Sequence, residues 1–377
     1  MDERTIMIGE YLSHHYSISQ LARRRGISRK TAYKWIDRYE EDRLNGLKER
    51  TRAPHHHPNA ISQEMEDRIL DWKAKYPLWG APKIHSKLRG LADCPAESTI
   101  SNVLRRWGLT RKVRRRGHAS PTLVQEEAGG PNELWSADFK GWFRTGDGQR
   151  CDPLTISDHW SRYLLCCRGI GGGAGLVTVK PLFEVTFREN GVPEAIRTDN
   201  GPPFASVGLA GLSELSVWWL RLGIRVERIE PGCPQQNGRH ERMHRTLKEA
   251  VARPPRANLG AQQKSFDVFR EHYNQERPHQ SLGQHPPASV YRPSSKDFPE
   301  RLIEPEYPED WPVRAVRSNG EIKWKGHKIY LNFALRGQRV GLEPIEDGVW
   351  RLHFMTLALG QMDERDRRVE PMERTRR

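Results

Sequence analysis

The chain has 377 residues and a formal net charge of +14, so it is long for one domain and sufficient for about two to four. This charge predicts a polyanionic partner, with nucleic acid ahead of an anionic membrane. The sequence has neither an apolar run of eighteen residues nor an N-terminal secretory signal, which predicts a cytosolic protein with no membrane partner. Its five cysteines form no Cys-x-x-Cys pair, which favours reduced thiols over disulfides or a cysteine-based zinc finger.

The first 120 residues are the most basic part of the chain, with 25 Lys and Arg against 14 Asp and Glu. Within them, a short helix around Leu21, a turn at Gly26 and a helix capped by Ser28 predict a helix-turn-helix. The outer face of the second helix is then expected to contact DNA through Arg29, Lys30, Tyr33 and Lys34. The alternative is a solvated, charged helix in a helical bundle.

A second helical module is predicted from Ser62 to about Trp107, after a proline-containing linker. Its last helix is expected to be capped near its start by Ser98 or Thr99 and to end at Gly108.

A basic segment at residues 111–117 has five basic residues in seven. It predicts an arm that grips phosphates, although such runs are also ordinary solvated linkers. The predicted contacts of this arm are Arg111, Lys112, Arg114 and Arg115. We assign two DNA-binding domains to this part of the chain, residues 1–52 and 60–118.

Beyond residue 131 the pattern changes to strands and helices. Three successive strands are predicted, the first carrying Asp138, and a later strand presents Asp199 at its C-terminal end. Glu241 follows on a helix. This order predicts an α/β domain with a mixed five-stranded sheet over residues 131–290.

The C-terminal part has short alternating runs separated by Asn-Gly and Asp-Gly turns. Such turns join antiparallel strands in hairpins. We therefore expect a small β-barrel over residues 312–362.

The segment around Glu241 permits two interpretations. His240 and His244 frame this residue in His-Glu-x-x-His, the spacing with which a protease helix holds zinc and places its general base. The arginines nearby would crowd a zinc ion, and no clear third ligand follows, although Glu271 or Glu276 could be nominated. The same arginines suit a DNA backbone, which favours the second interpretation.

In that interpretation the acids carry the chemistry. Hydrolysis or transfer of a phosphodiester uses two Mg²⁺ ions about 3.5 to 4 Å apart, and Mg²⁺ prefers carboxylate and water ligands. Asp138, Asp199 and Glu241 could converge over the edge of the sheet and supply these ligands.

Five sequence blocks resemble the DDE transposases of bacterial insertion sequences, within the retroviral-integrase superfamily. Three blocks contain the acids, W-S-A-D-F-K-G, T-D-N-G-P-P-F and Q-N-G-R-H-E-R-x-x-x-x-L-K. Two more are noncatalytic landmarks, S-D-H-W-S-R-Y and Y-N-Q-E-R-P-H-Q-S-L-G. The resemblance covers about residues 131–290 in the correct order, and the five blocks together make it specific.

The resemblance implies a ribonuclease H-like core whose catalytic and metal-binding residues are Asp138, Asp199 and Glu241. It also implies two Mg²⁺ ions, for which Mn²⁺ substitutes, and at least a dimer on double-stranded transposon-end and target DNA. Lys248 matches a position that contacts the donor DNA end, and Arg245 is a companion. The bacterial nucleoid is the expected location.

Two departures from the family pattern are visible. Forty-one residues separate Asp199 from Glu241, more than the thirty-five common in the superfamily, and we expect the extra length near residues 205–216. The N-terminal part lacks the His/Cys zinc module of retroviral integrases, which the helical modules replace.

The sequence therefore predicts a transposase that binds terminal inverted repeats, cleaves 3′ ends and joins them to target DNA. One alternative is a DNA-binding regulator that has lost catalysis. The other is a simple nuclease of the same fold, which would cleave without joining.

Overall fold

The computed structural model describes residues 2–49, 60–110, 128–230 and 238–372. The chain divides into two compact units, Met1–Gln63 and Glu64–Arg377. The predicted basic arm, with Arg111, Lys112, Arg114 and Arg115, lies outside the described residues. Among the helices that are described, none combines the length and apolar character needed to cross a bilayer.

The first unit contains the predicted helix-turn-helix. Its helices are α1 Glu3–Leu12, α2 Ile18–Arg24 and α3 Arg29–Gly46. The Ser28 side chain accepts a hydrogen bond from the Thr31 amide, and Gly26 supplies the turn with φ +63°. Ala32 and Ile36 are buried and form the inner face of α3.

The second module packs three helices around Ile69, Ile84 and Ile100. The helices are α4 Gln63–Lys75, α5 Ala81–Leu88 and α6 Glu97–Arg106. The predicted hydroxyl cap of α6 is wrong, because the helix begins before Ser98 and its N-cap residue, Ala96, has no side chain that can accept a hydrogen bond.

A mixed sheet organises the middle of the chain. Its strands are β1 Leu134–Phe139, β2 Phe143–Arg144, β3 Arg150–Asp158, β4 Leu164–Gly171, β5 Ala195–Thr198 and β6 Arg225–Arg228. β3 pairs antiparallel with β1 and β4, whereas β5 and β6 continue from β1 in parallel. The five predicted strands are present, but the sheet has six, because β2 pairs with the start of β3 for two residues.

Helices cover both faces of this sheet. They are α7 Leu176–Asn190, α8 Glu214–Arg221, α9 Gly238–Leu247 and α10 Leu259–Gln275, and α9 continues as a π-helical turn through Lys248–Ala252. Leu154 and Ile156 of β3 pack with α7 and α8, while Cys151 of the same strand packs with α9 and α10. Because side chains alternate along a strand, Thr155 and its cross-strand partner Asp138 lie on the α9 face.

The C-terminal strands form an antiparallel sheet in the order β13-β12-β11-β10-β7, with β8 and β9 in a separate hairpin. Their bounds are β7 Val313–Ala315, β8 Glu321–Trp324, β9 His327–Tyr330, β10 Arg339–Glu346, β11 Val349–Phe354, β12 Leu357–Asp363 and β13 Arg368–Pro371. The described strands do not close into one hydrogen-bonded ring, so the predicted barrel is not confirmed.

The segment at residues 205–216, which lies between β5 and β6 in the sequence, packs against the C-terminal sheet. Its Leu209 and Leu212 are buried in one apolar cluster with Leu331 and Phe354 of the C-terminal part. The Asn332 side-chain amide donates hydrogen bonds of 3.1 Å to the carbonyls of both leucines. The region where we expected extra length is therefore a support for the C-terminal sheet.

Candidate metal centre

Two neighbouring strand ends position the first two acids. β1 and β5 run parallel with Ser136 opposite Arg197, and continuing this register places Asp138 opposite Asp199. Adjacent strands lie about 4.8 Å apart, so the two carboxyls are neighbours. Asp199 is fixed in its turn because its Oδ1 accepts a hydrogen bond of 3.1 Å from the Gly201 amide.

Glu241 joins them from helix α9. The pKa of Asp138 is raised to about 7, mainly by burial and in addition by the negative charges of Asp199 and, to a smaller extent, Glu241. The Asp138 side chain is only 18% exposed, whereas Glu241 is exposed. The structure thus brings together the three acids that the sequence predicted, and like charges held this close favour a bound cation.

The donor chemistry of this group fits Mg²⁺, because carboxylate oxygens are its preferred protein ligands. A second set of possible ligands overlaps with the first. Asp138, His240 and His244 each offer one ligand atom, and these atoms lie within 4.8 Å of one another.

The two histidines of the His-Glu-x-x-His motif point into the protein. His240 and His244 are 2% and 8% exposed, and their Nε2 atoms lie 2.7 and 2.6 Å from Thr155 Oγ1. Of the nominated zinc ligands, Glu276 is engaged by Lys75 and by the Tyr76 hydroxyl, and neither it nor Glu271 belongs to the Asp138–His240–His244 group among the described residues. Neither nominated glutamate therefore lies with the two histidines as a third zinc ligand in the described part of the chain.

We expect the metal-free protein to lose stability as the pH falls below about 6.5, because buried neutral histidines resist protonation. Burial lowers the pKa of His240 to about 3 in the folded chain, so the unfolded chain binds more protons between these two values. By pH 5 this one group weakens folding by about 2 kcal/mol. Denaturant unfolding at pH 7.5 and 5.0 should show a pH-dependent loss about 2 kcal/mol smaller in His240→Gln than in the unchanged chain. Equal losses would contradict the neutral state of this ring.

A rim of basic side chains surrounds the acids. Burial lowers the pKa of Lys140, and the nearby positive charges of Lys248 and Arg253 lower it further, against the opposing effect of Asp138. Arg245 is exposed and Lys248 half-buried. Sequence reasoning missed Lys140 and Arg253; Lys140 could have been found, because it follows Asp138 by two residues, the spacing that keeps side chains on one face of an extended chain.

Two other acids near the site have structural roles. Asp158 is 1% exposed and accepts hydrogen bonds from the amides of Asn132 and Ser161 and from the Ser161 hydroxyl. Asp152 forms a bidentate ion pair with Arg150, in which the guanidinium nitrogens lie 2.7 and 2.8 Å from the two carboxylate oxygens. Neither carboxylate is needed to explain the metal centre.

The predicted DNA-contacting side chains of the first unit are all exposed on α3. They are Arg29, Lys30, Tyr33 and Lys34. Tyr33 is 51% exposed, and such exposure of an aromatic residue between basic neighbours suits contact with a nucleic-acid backbone and bases.

Four family models match parts of the chain, and two of the matched ranges overlap. An integrase core domain matches residues 222–287, and a C-terminal domain of IS481 family transposases matches residues 312–370. A helix-turn-helix domain matches residues 3–55, and a homeodomain-like domain matches residues 31–104.

Relatives of the chain come from insertion elements. It is 29% identical over 237 residues to an uncharacterised 39.2 kDa protein of insertion element IS476 from Xanthomonas euvesicatoria, a match that covers 61% of this chain and 65% of the relative. It is 26% identical over 230 residues to a 31.7 kDa protein of IS407 from Burkholderia multivorans, covering 60% and 79%. The match thus spans just under two thirds of the first relative.

Among solved structures, the chain is similar to one from the simian T-cell lymphotropic virus intasome in complex with a PP2A regulatory subunit. The identity is 18% and the TM-score 0.39, over 77% of this chain and 97% of that one. The HTLV-2 integrase catalytic core in complex with magnesium is also similar, at 16% identity and a TM-score of 0.34, over 44% and 99%.

The protein thus combines helix-turn-helix domains with an integrase-type core that has a mixed sheet. The resemblance predicted from the sequence is confirmed: this chain is related to the transposases of bacterial insertion sequences.

Proposed function

We propose that this protein is a DNA transposase that binds the terminal inverted repeats of an insertion sequence, cleaves their 3′ ends and transfers them into target DNA. The observation that carries the proposal is the convergence of Asp138, Asp199 and Glu241, on separate elements of an integrase-type core, inside a rim of basic side chains. Basic neighbours suit a DNA backbone as substrate.

We propose four domains with separate tasks. The helical domains at residues 1–52 and 60–118 bind the repeats, the core at residues 131–290 carries out the reaction, and the domain at residues 312–362 supports the core. Because two ends are joined in one event, the active form on DNA is at least a dimer.

In the proposed mechanism, Asp138, Asp199 and Glu241 would hold two divalent ions, Mg²⁺ with Mn²⁺ as a substitute. Bound by these acids, such ions would supply charge stabilisation to the attacking and leaving oxygens of an in-line displacement. Arg245 and Lys248, one and two turns beyond Glu241, orient the donor DNA end through its phosphates. The same acids serve cleavage by water and joining by the freed 3′-hydroxyl, so no serine or tyrosine nucleophile is required.

The test uses the full chain, a labelled duplex carrying the element's own ends, a supercoiled target plasmid and Mg²⁺. The ends come from the inverted repeats that flank the reading frame. We expect a nick at the 3′ end, followed by labelled plasmid as the joined product. Cleavage without joining would replace the proposal with a nuclease of the same fold, and binding without cleavage would replace it with a regulator.

A further inference from the structure

The hydroxyl of Thr155 lies at the centre of a buried hydrogen-bond group beside the metal centre. Thr155 Oγ1 is 3.1 Å from the Asp138 carbonyl oxygen, 2.7 Å from His240 Nε2 and 2.6 Å from His244 Nε2. His240 Nδ1 lies 3.1 Å from Ser157 Oγ on the same strand. Helix α9, which carries Glu241, is thus bound to the strand that pairs with β1.

The number of available protons fixes the tautomers of both rings. A hydroxyl has one hydrogen and two lone pairs, and a carbonyl oxygen only accepts. All three contacts of Thr155 are hydrogen bonds in a single arrangement: the hydroxyl donates to the Asp138 carbonyl, and both imidazoles donate from Nε2. His240 Nδ1 then accepts from Ser157, and His244 Nδ1 is left with a lone pair.

This lone pair faces the first catalytic acid. His244 Nδ1 lies 3.8 Å from Asp138 Oδ2, too far for a hydrogen bond, and it makes no hydrogen bond to any described residue. The ring is 8% exposed, so bulk water does not solvate the nitrogen freely. A nitrogen lone pair held in a buried site beside a carboxylate requires an electron-pair acceptor.

The distance lets one divalent cation serve as that acceptor. A divalent cation with ligand distances of about 2.1 Å joins atoms up to about 4.2 Å apart. The observed 3.8 Å lies within this reach.

We propose that His244 Nδ1 is a nitrogen ligand of the divalent cation held by Asp138, and that Thr155 fixes the ring in the tautomer this requires. The inference rests on the proposed function and deepens it by naming a fourth ligand. Mg²⁺ prefers oxygen ligands, whereas an imidazole ligand raises the affinity for transition ions. The site consequently binds Mn²⁺ more tightly than Mg²⁺.

The test is pulsed electron paramagnetic resonance of Mn²⁺ bound to the full chain, prepared with natural or ¹⁵N-labelled histidine. We expect a nitrogen modulation of the spin echo that changes with the label, and this comparison needs no substitution. In His244→Asn, which places an amide oxygen near the same position, the modulation should disappear and the preference for Mn²⁺ over Mg²⁺ should fall by about tenfold.

Two further variants sharpen the assignment. His327→Asn removes an exposed imidazole of β9 and should change neither quantity. Thr155→Val removes the group that fixes the tautomer and should weaken the modulation while Mn²⁺ remains bound. Modulation that survives in His244→Asn, or bound Mn²⁺ without any histidine nitrogen in the unchanged chain, overturns the inference.

The two proposals fail in different ways. Strand transfer with Mg²⁺ but no nitrogen signal would leave the transposase proposal standing and remove the fourth ligand. A nitrogen signal in a chain that neither cleaves nor joins DNA would leave the ligand in place and remove the transposase proposal.

Discussion

Asp199→Asn is expected to reduce both 3′ cleavage and strand transfer by about a thousandfold or more. The change removes one ligand oxygen charge from the metal centre while preserving the shape of the side chain. Metal-assisted charge stabilisation is worth several kcal/mol, and each 1.36 kcal/mol corresponds to a factor of ten in rate. The measurement is the yield of nicked and joined products from labelled ends with Mg²⁺.

The folded state of this variant should persist, because Asp199 helps to raise the pKa of Asp138 and its loss relieves repulsion. The thermal midpoint is therefore expected to stay the same or rise. A matched control is Glu189→Gln, which neutralises an exposed acid of α7 and should retain full activity. Strand transfer that survives in Asp199→Asn would refute the catalytic assignment.

Trp219→Ala is expected to lower the free energy of unfolding by about 3 to 5 kcal/mol, the usual loss for a large buried side chain. Trp219 lies in α8, is fully buried, and packs edge-on against Phe183 of α7 with ring centroids 4.9 Å apart. It also lies over Phe204, in the turn that follows Asp199. Guanidinium unfolding, followed by circular dichroism, measures the change.

Trp219→Phe provides a sharper control at the same position. The indole Nε1 of Trp219 is buried without a hydrogen-bond partner among the described residues. An unsatisfied buried donor costs about 1 to 3 kcal/mol, so removing it offsets the lost contact area. We expect this variant to stay within about 1 kcal/mol of the unchanged chain. A loss as large as that of the alanine variant would mean that the indole nitrogen stabilises the fold.

Features set by neighbouring residues were predictable from the sequence. The cap at Ser28 and the turn at Gly26 each depend on a few adjacent residues, and both are as expected. The convergence of Asp138 and Asp199 followed from their places at the ends of strands, because parallel neighbours end at the same edge of a sheet. Their catalytic role stays a prediction.

Features set by distant residues were not predictable in this way. Thr155 meets His240 and His244 across 85 and 89 positions, through a register that no local pattern specifies. The sequence therefore offered the two histidines only as zinc ligands or as part of a basic helix. The barrel prediction is not confirmed for a related reason, since hairpin turns define which strands pair in sequence but not whether the outermost strands meet.

The joint between the core and the C-terminal sheet affects how the protein can be divided into fragments. Leu209, Leu212 and Val217 are 8%, 1% and 5% exposed, and they owe this burial partly to the sheet that begins at Val313. A fragment that ends before β7 would expose these side chains to water as an apolar patch. Residues 313–372 thus belong to the folding unit of the acids, and a truncated core is a poor substitute for the full chain in solution.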